Sequence, residues 1–202
     1  MPDRLRVGFL VSGEGTTLEG LVSRWRARGA PIDIALVIAD RPGIGAIARA
    51  SRLGLPFALV DRRSLSPTGF ARTLTDRLRL HRVELVILAG FLSIVPPSWV
   101  EDWQGRAINL HPSLLPRYGG KGMYGPRVHA AVLAAGERET GVTVHLVTRD
   151  IDAGPTLEQR RVAVEPGDTP ETLRARVAPL ELEALDEVVS RFARGDLPLP
   201  YR

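Results

Sequence analysis

The sequence predicts an α/β fold: a single-domain, doubly wound, mostly parallel sheet that ends in a long C-terminal helix. Short β-branched runs alternate with longer amphipathic segments along the chain, which is typical of parallel strands joined by crossover helices. Runs such as 85–88 are apolar on both faces, as expected for strands that helices cover on both sides. We therefore expect an open sheet whose ligand sites lie beyond the carboxyl ends of its strands.

The alternation places each element in order. Strands are predicted near 5–11, 32–39, 57–60, 84–88, 106–110 and 142–148, with helices near 17–28, 44–52, 68–80 and 126–135. A further strand near 156–164 precedes a long helix that runs to about Ala193 and is stopped by Gly195. Asp168 and Glu171 have capping-box spacing, and Thr169 with Pro170 alternatively forms the N-cap and first helical residue. No repeat or linker divides the chain, so one domain over 1–202 is expected.

Composition excludes several classes of protein. With 202 residues and 44% apolar residues the chain can build a sizeable core, which excludes disordered and fibrous classes. The 27 basic residues exceed the 23 acidic ones, and only Lys121 among them is a lysine. The arginines are scattered rather than clustered, which argues against a dedicated nucleic-acid role. Cysteine is absent, so thiolate sites and disulfides are excluded and a cytoplasmic location is expected.

The loop after the first predicted strand, Ser-Gly-Glu-Gly-Thr-Thr-Leu at 12–18, precedes a helix. Backbone amides at a helix N-terminus bind anions, most naturally a phosphate, while a plain strand-to-helix turn is the alternative. The dinucleotide fingerprint needs a third glycine where this chain has Leu18. Asp40, at the end of the second predicted strand, keeps the dinucleotide reading open.

An apolar loop at 89–97 follows the fourth predicted strand, with a glycine near its start and Pro-Pro at its end. Such a loop can wall a pocket for a flat heterocycle. Packing of the loop into the core is the alternative, which composition alone favours.

The segment Asn-Leu-His-Pro-Ser-Leu-Leu-Pro begins at Asn109. Residues two apart on a strand point to the same side, so Asn109 and His111 should present an amide and an imidazole together. That pairing suits acyl transfer, because the amide donates to an oxyanion and the imidazolium donates a proton. The other histidines, His81, His129 and His145, we interpret as structural.

Two carboxylates, Asp150 and Asp152, follow the sixth predicted strand on a loop that ends in Gly-Pro. A carboxylate near His111 would raise the pKa of the imidazole and hold it cationic, and could relay a proton from an attacking amine. Alternatively, either aspartate is an ordinary turn residue without a catalytic role.

Together these segments resemble the folate-dependent formyltransferase family, and within it the phosphoribosylglycinamide formyltransferases (glycinamide ribonucleotide transformylases). The motifs that carry the resemblance are Ser-Gly-x-Gly-Thr-Thr-Leu, Leu-Ala-Gly-Phe-Leu-Ser-Ile-Val, Asn-Leu-His-Pro-Ser-Leu-Leu-Pro and Asp-Ile-Asp-Ala-Gly-Pro. The resemblance covers residues 5 to 193 or so and implies a formyltransferase-like Rossmann-type sheet. It implies a phosphate-binding half at about 1–95 and a folate and catalytic half at about 96–195.

The resemblance also implies a reaction. The formyl group of 10-formyltetrahydrofolate passes directly, through a tetrahedral intermediate, to the amine of N1-(5-phosphoribosyl)glycinamide. The products are N2-formyl-N1-(5-phosphoribosyl)glycinamide and tetrahydrofolate, in de novo purine (IMP) biosynthesis. The folate is a co-substrate, no metal is needed, and the partners are these small molecules, with no nucleic acid and no membrane. A monomer or homodimer is expected.

Site residues follow from the resemblance by position. The catalytic residues it implies are Asn109 for the oxyanion, His111 as proton donor and Asp152 to raise the pKa of His111. The residues implied for the phosphoribosyl group are Gly15, Thr16, Thr17 and Glu181. Those implied for folate are Leu92, Ser93, Ile94, Val95, Asn109, Thr148, Arg149, Asp150, Ile151 and Asp152.

Three features depart from the family pattern. Ala178 and Pro179 stand where an amide or lysine often precedes the Glu181 position. Pro67 stands near the place of a folate-binding arginine, so Arg62 or Arg63 is expected to substitute unless the glutamyl tail is held differently. The glycine-rich loop at 117–125, with Lys121, is expected to be a mobile lid that could meet a phosphate.

Three other functions stay open. A methionyl-tRNA formyltransferase would carry an additional C-terminal domain, and only residues 195–202 follow the last predicted helix. A formyltetrahydrofolate hydrolase would carry an N-terminal regulatory domain, whereas the first strand here is predicted from residue 5. A non-catalytic nucleotide-binding module would explain the phosphate loop but not the convergence of an amide, an imidazole and an acid.

Overall fold

A computed structural model describes residues 4–200, so positions 1–3 and 201–202 of the predicted domain lie outside the described residues. The strands are β1 (Leu5–Val11), β2 (Ile32–Ala39), β3 (Phe57–Leu59), β4 (Leu85–Leu88), β5 (Ala107–His111), β6 (Glu139–Leu146) and β7 (Thr156–Ala163). The α-helices are α1 (Thr16–Ala27), α2 (Gly45–Arg52), α3 (Pro67–Leu80), α4 (Pro97–Asp102), α5 (Pro126–Ala134) and α6 (Pro170–Arg194). A short 3₁₀ turn covers Arg62–Ser64.

The strands form a seven-stranded sheet in the order β3-β2-β1-β4-β5-β6-β7. β1 pairs in parallel with β2 and β4, and β2 pairs in parallel with β3. β6 pairs with β7 in the antiparallel sense. The predicted mostly parallel α/β sheet with a long C-terminal helix is confirmed.

The chain divides into two compact units. One unit comprises the chain up to Ile108 together with the residues from Ser190 onward, and the other comprises Asn109–Val189. The core of the first unit contains stacked Trp99 and Trp103, whose ring centroids lie 6.1 Å apart. The core of the second unit includes fully buried aliphatic residues of β6 and α6, namely Val142, Val144, Leu173, Val177 and Leu185.

Helix α4 was not predicted from the sequence. Its six residues are too few for helical periodicity to register, and its Pro-Pro start was interpreted as the end of a loop. Pro97 occupies the first turn, where a missing N–H costs nothing. Buried Trp99 and Val100 on the helix and Trp103 just after it anchor this segment to the core.

One strand end differs from the prediction, and the structure decides between the two alternatives given for the start of α6. β6 ends at Leu146, so Thr148 lies in the following loop rather than on the strand. At the start of α6, the Thr169 hydroxyl accepts a hydrogen bond from the Thr172 amide at 3.3 Å. Asp168 instead accepts from the Glu165 amide at 2.8 Å, so Thr169 is the N-cap and the capping-box alternative is wrong.

Candidate active site

The end of β5 carries Asn109 and the 4% exposed His111 two residues apart, as predicted. The loop between β6 and β7 brings Asp152 to both of them. The Asp152 Oδ2 atom lies 3.5 Å from His111 Nδ1, and its Oδ1 accepts a hydrogen bond from Asn109 Nδ2 at 3.3 Å. The three side chains that the sequence indicated are therefore in contact within the second unit.

The backbone of the β6–β7 loop allows little choice in the placement of Asp152. This residue has a φ of 56°, a left-handed conformation that few residues other than glycine, asparagine and aspartate adopt. A Cβ atom at Gly154 would lie 1.8 Å from the carbonyl oxygen of Leu146, so only glycine fits there. The Leu146 amide in turn donates to the Pro155 carbonyl at 2.9 Å and closes the loop.

The glycine-rich loop at 117–125 contacts two of the three catalytic candidates, His111 and Asp152, through its main chain. His111 Nε2 lies 2.8 Å from the Tyr118 carbonyl oxygen, and because a carbonyl only accepts, Nε2 carries a proton. The Gly120 amide donates to Asp152 Oδ2 at 2.9 Å. A Cβ on Gly119 would lie 2.5 Å from a Leu115 methyl group and 3.2 Å from the Asp152 Cβ, so glycine permits this close approach.

His145, interpreted from the sequence as structural, also contacts this centre. Its Nδ1 donates to the Leu146 carbonyl at 2.9 Å, which leaves Nε2 of the neutral ring to accept from Asn109 Nδ2 at 3.1 Å. The same Nε2 lies 3.6 Å from Asp152 Oδ1. His145 therefore orients the Asn109 amide, a role that a lone histidine on an apolar strand did not signal.

The protonation of the centre depends on opposing effects. Burial lowers the pKa of His111, while the Asp152 charge and the Tyr118 carbonyl raise it, and the net pKa lies below the ordinary value. Burial raises the pKa of Asp152, but its contact with His145, the charge of His111 and the hydrogen bond from the Gly120 amide outweigh burial, so the net pKa is lowered. Asp152 thus acts on His111 in the predicted direction. Burial opposes this effect, so the expectation that Asp152 holds the imidazole cationic stays a prediction.

The predicted phosphate loop lies between β1 and α1 in the first unit. Gly15, with a φ of 74°, is the N-cap of α1, and no side chain caps the first turn. The amides at the start of this 12-residue helix are therefore available to an anion. Arg49 Nε donates to the Glu14 carbonyl at 2.7 Å, and the Ala46 amide donates to the Gly13 carbonyl at 3.1 Å. Both bonds hold the loop against α2.

Asp40 does not serve a dinucleotide site. Its side chain is fully buried beside Arg41, and its carboxylate accepts from Ser12 Oγ at 2.7 Å and from Ser93 Oγ at 2.5 Å. An acid that binds a ribose must present its oxygens to solvent or ligand. The third glycine is also missing, since Leu18 is buried in the core, so the dinucleotide reading is excluded.

The apolar loop after β4 does not pack into the core as composition favoured. Leu92 is 45% exposed and Ile94 is 59% exposed. On the β6–β7 loop Ile151 is likewise 42% exposed. Large apolar side chains exposed at the surface are typical of ligand-binding walls.

Comparison with known proteins identifies the family. Residues 5–189 match the family model described as "Formyl transferase". The chain belongs to this formyl transferase family. The match covers β1 through nearly all of α6, including all three catalytic candidates and the phosphate loop.

Individual relatives agree with this family. The phosphoribosylglycinamide formyltransferase of Coxiella burnetii superimposes with a TM-score of 0.88 at 39% identity, over 95% of this chain and 88% of that one. The glycinamide ribonucleotide transformylase 1 of Symbiobacterium toebii gives a TM-score of 0.91 at 34% identity, over 100% and 93% of the two chains. The trifunctional purine biosynthetic protein adenosine-3 of Gallus gallus is 37% identical over 96% of this chain. The chain spans only 19% of the length of that relative.

Glu181, implied for the ribosyl group by resemblance to this family, lies half-buried on α6. Burial raises the pKa of its carboxyl to about 7, against the opposing charge of Arg174. Within residues 4–200, no hydrogen bond or ion pair engages this carboxylate, although Arg174 acts on it at longer range. An uncompensated carboxyl of this kind is an expected feature of a ligand site.

The structure bears on two of the departures from the family pattern, the substitute for the folate-binding arginine and the glycine-rich loop. Arg62 is occupied, because it donates to the Leu65 carbonyl at 3.1 Å and lies 5.3 Å from the Phe70 ring centroid. Arg63 is exposed, so of the two it is the better placed to meet a carboxylate of a ligand. Lys121 is exposed in the glycine-rich loop, and the mobility of that loop stays a prediction.

Across residues 4–200, no group of three histidines or carboxylates is arranged to hold a metal ion. In the same part of the chain, none of the helices has the length and apolar character needed to cross a membrane.

Proposed function

We propose that the chain transfers the formyl group of 10-formyltetrahydrofolate to the amine of N1-(5-phosphoribosyl)glycinamide, which yields the N2-formyl product and tetrahydrofolate. The observation that carries this proposal is the contact of Asn109, His111 and Asp152 in a chain of the formyl transferase family. An amide donor, a protonated imidazole nitrogen and a carboxylate are the groups that a direct acyl transfer requires.

The chemistry assigns a task to each group. The acceptor amine attacks the formyl carbon, and the carbonyl oxygen becomes an oxyanion that the Asn109 amide and the His111 imidazole stabilise. Collapse breaks the bond to N10 of the folate, which takes up one proton, while the new amide nitrogen loses one. We assign donation to the oxyanion to Asn109 and His111, and acceptance of the amine proton, directly or through one water, to Asp152.

Asn109 and His111 already donate hydrogen bonds within the protein, and substrate binding must change these bonds. His111 Nε2 donates to the Tyr118 carbonyl, and the Asn109 amide donates to His145 and Asp152. Donation to an oxyanion therefore requires exchange of one partner at each residue. Catalytic hydrogen bonds commonly reach their final geometry only in the substrate complex.

The ligand assignments follow the same reasoning. We assign the acceptor phosphate to the α1 N-terminus at Gly15, Thr16 and Thr17, and the ribosyl hydroxyls to Glu181. The formyl donor is assigned to 92–95 and to 148–152, where Leu92, Ile94 and Ile151 offer exposed apolar surface. We propose that the chain works as one domain in the cytoplasm, as a monomer or homodimer, without a metal ion, nucleic acid or membrane.

The test is acceptor dependence. Purified protein with 10-formyltetrahydrofolate should release tetrahydrofolate when the glycinamide ribonucleotide is present and not in buffer alone. Equal release in buffer would favour a formyltetrahydrofolate hydrolase, and release that needs initiator methionyl-tRNA would favour the tRNA enzyme. Binding of the ribonucleotide without release in any mixture would favour the non-catalytic module. His111→Gln, run in parallel, should abolish release and exclude a contaminating activity.

A further inference from the structure

Asp40 is a buried carboxylate that the reaction above does not use. It follows β2 directly, is 1% exposed, and binds groups from three separate segments of the first unit. Its Oδ1 accepts from Arg41 Nε at 2.9 Å, and its Oδ2 accepts from Arg41 Nη2 at 3.1 Å. The hydroxyls of Ser12 and Ser93 complete the set at 2.7 and 2.5 Å.

Ser12 extends this network to the main chain of the apolar loop. A hydroxyl has one proton, and the carboxylate can only accept, so the Ser12 proton points to Asp40. The Ser12 lone pairs then face the Leu92 amide, which donates to Ser12 Oγ at 2.7 Å. The ionised state of Asp40 therefore sets the direction of both hydrogen bonds.

The carboxylate is ionised at neutral pH. Burial raises the pKa of Asp40, but the hydrogen bonds from Arg41, Ser93 and Ser12 and the charge of Arg41 outweigh it, and the net pKa is lowered. Hydrogen bonds to a buried, charged acceptor are stronger than those between neutral groups. The network is thus a rigid clamp rather than an incidental surface contact.

The alternation of side chains in the loop shows what the clamp holds. Leu92 and Ile94 are exposed by 45% and 59%, while Ser93 between them turns inward to Asp40. Without an inward anchor, two large apolar side chains would gain by turning away from water. The anchored serine therefore keeps the apolar side chains turned outward.

We propose that Asp40 is a positioning residue for the formyl donor, which acts through Ser12 and Ser93 to hold the segment 92–95 in its binding conformation. This inference rests on the proposed function only in naming the ligand. The geometry of the clamp is independent of it.

The first experiment compares steady-state kinetics of Asp40→Asn and Asp33→Asn. Asp33 is a matched control, because it lies on β2, pairs with Arg6 at 2.7 Å and is 43% exposed in its side chain, remote from the loop. Asp40→Asn should raise the KM for 10-formyltetrahydrofolate about tenfold, with the acceptor KM little changed. A smaller active fraction with both KM values unchanged would mean a merely structural role and would overturn the proposal.

A second, milder substitution keeps the test valid if Asp40→Asn does not fold. Ser93→Ala leaves the Ser12 and Arg41 bonds to Asp40 intact and should raise the donor KM by about threefold, and Ser93→Thr should restore it. Ser23→Ala, which removes an exposed hydroxyl that bonds to Glu19 on α1, should leave both KM values unchanged. An unchanged donor KM in Ser93→Ala would refute the link between the clamp and the donor.

Amide hydrogen exchange separates this inference from the proposed function. The Leu92 amide should exchange at least about tenfold faster in Asp40→Asn and in Ser12→Ala than in the wild type. Unchanged exchange would overturn the clamp itself. Faster exchange in the two variants, together with a wild type that neither binds tetrahydrofolate nor transfers a formyl group, would refute the proposed function and leave the clamp standing.

Discussion

Replacement of Asp152 by asparagine removes one charge and keeps the shape of the side chain. The 3.5 Å separation from His111 corresponds to an attraction of about 5 kcal/mol at most, for an imidazolium and a carboxylate at an effective dielectric constant near 20. The new amide can still accept from the Gly120 main chain, but its NH₂ group then faces the donor of Asn109. Proton transfer should therefore suffer far more than the fold.

The expected result is a fall in kcat of about 10²- to 10⁴-fold, with tetrahydrofolate affinity within about threefold of wild type. Initial rates of tetrahydrofolate release give kcat, and titration calorimetry gives the affinity. Glu139→Gln is the control for loss of one charge, because Glu139 lies at the start of β6 and its exposed carboxylate pairs with Arg161, outside the residues assigned to either substrate. Comparable losses of turnover and folate affinity in Asp152→Asn would refute the proton-transfer role.

Three further predictions concern other parts of the site. Glu181→Gln should raise the free energy of unfolding at pH 8 by about 1–3 kcal/mol and should weaken acceptor binding. Because burial raises the pKa of Glu181, the wild type loses stability as the pH rises through about 7. The gain from the substitution should therefore vanish when urea unfolding is measured at pH 4, and an equal gain at pH 4 and pH 8 would contradict the raised pKa. Arg49→Gln should raise the acceptor KM by about three- to tenfold, because it removes the bond that holds the phosphate loop at the Glu14 carbonyl. Arg52→Gln, which loses the ion pair of Arg52 with Glu19 on the same surface, should leave that KM unchanged. Equal effects of the two substitutions would refute the role of Arg49 in holding the loop. Gly154→Ala should lower the melting temperature sharply, since its Cβ would lie 1.8 Å from a carbonyl oxygen, and an unchanged melting temperature would contradict the tight loop.

The sequence was informative where local spacing determines geometry. Asn109 and His111 share a side because they are two apart on a strand, and the phosphate loop follows from glycines before a helix. The strong alternation of elements fixed the fold class. Contact of Asp152 with His111 could not be derived from spacing, because it depends on the closure of the β6–β7 loop; only the family resemblance pointed to it.

The features that sequence reasoning missed act through the main chain or through burial. Tyr118 and Gly120 bind the centre with a carbonyl and an amide, groups that every residue carries and no motif marks. Burial opposes the expected rise in the pKa of His111, and the degree of burial is a property of the folded chain alone. Asp40 was noticed for its position after β2, yet its clamp on Ser93 joins residues 53 apart.

The central claim is a direct transfer of the formyl carbon to the glycinamide amine. Its most direct test uses a donor labelled with ¹³C at the formyl group and follows the label by NMR in the reaction with the ribonucleotide. One labelled formamide on the glycinamide nitrogen is expected for each tetrahydrofolate released. Labelled formate released in its place, in equal amount with or without the ribonucleotide, would contradict it.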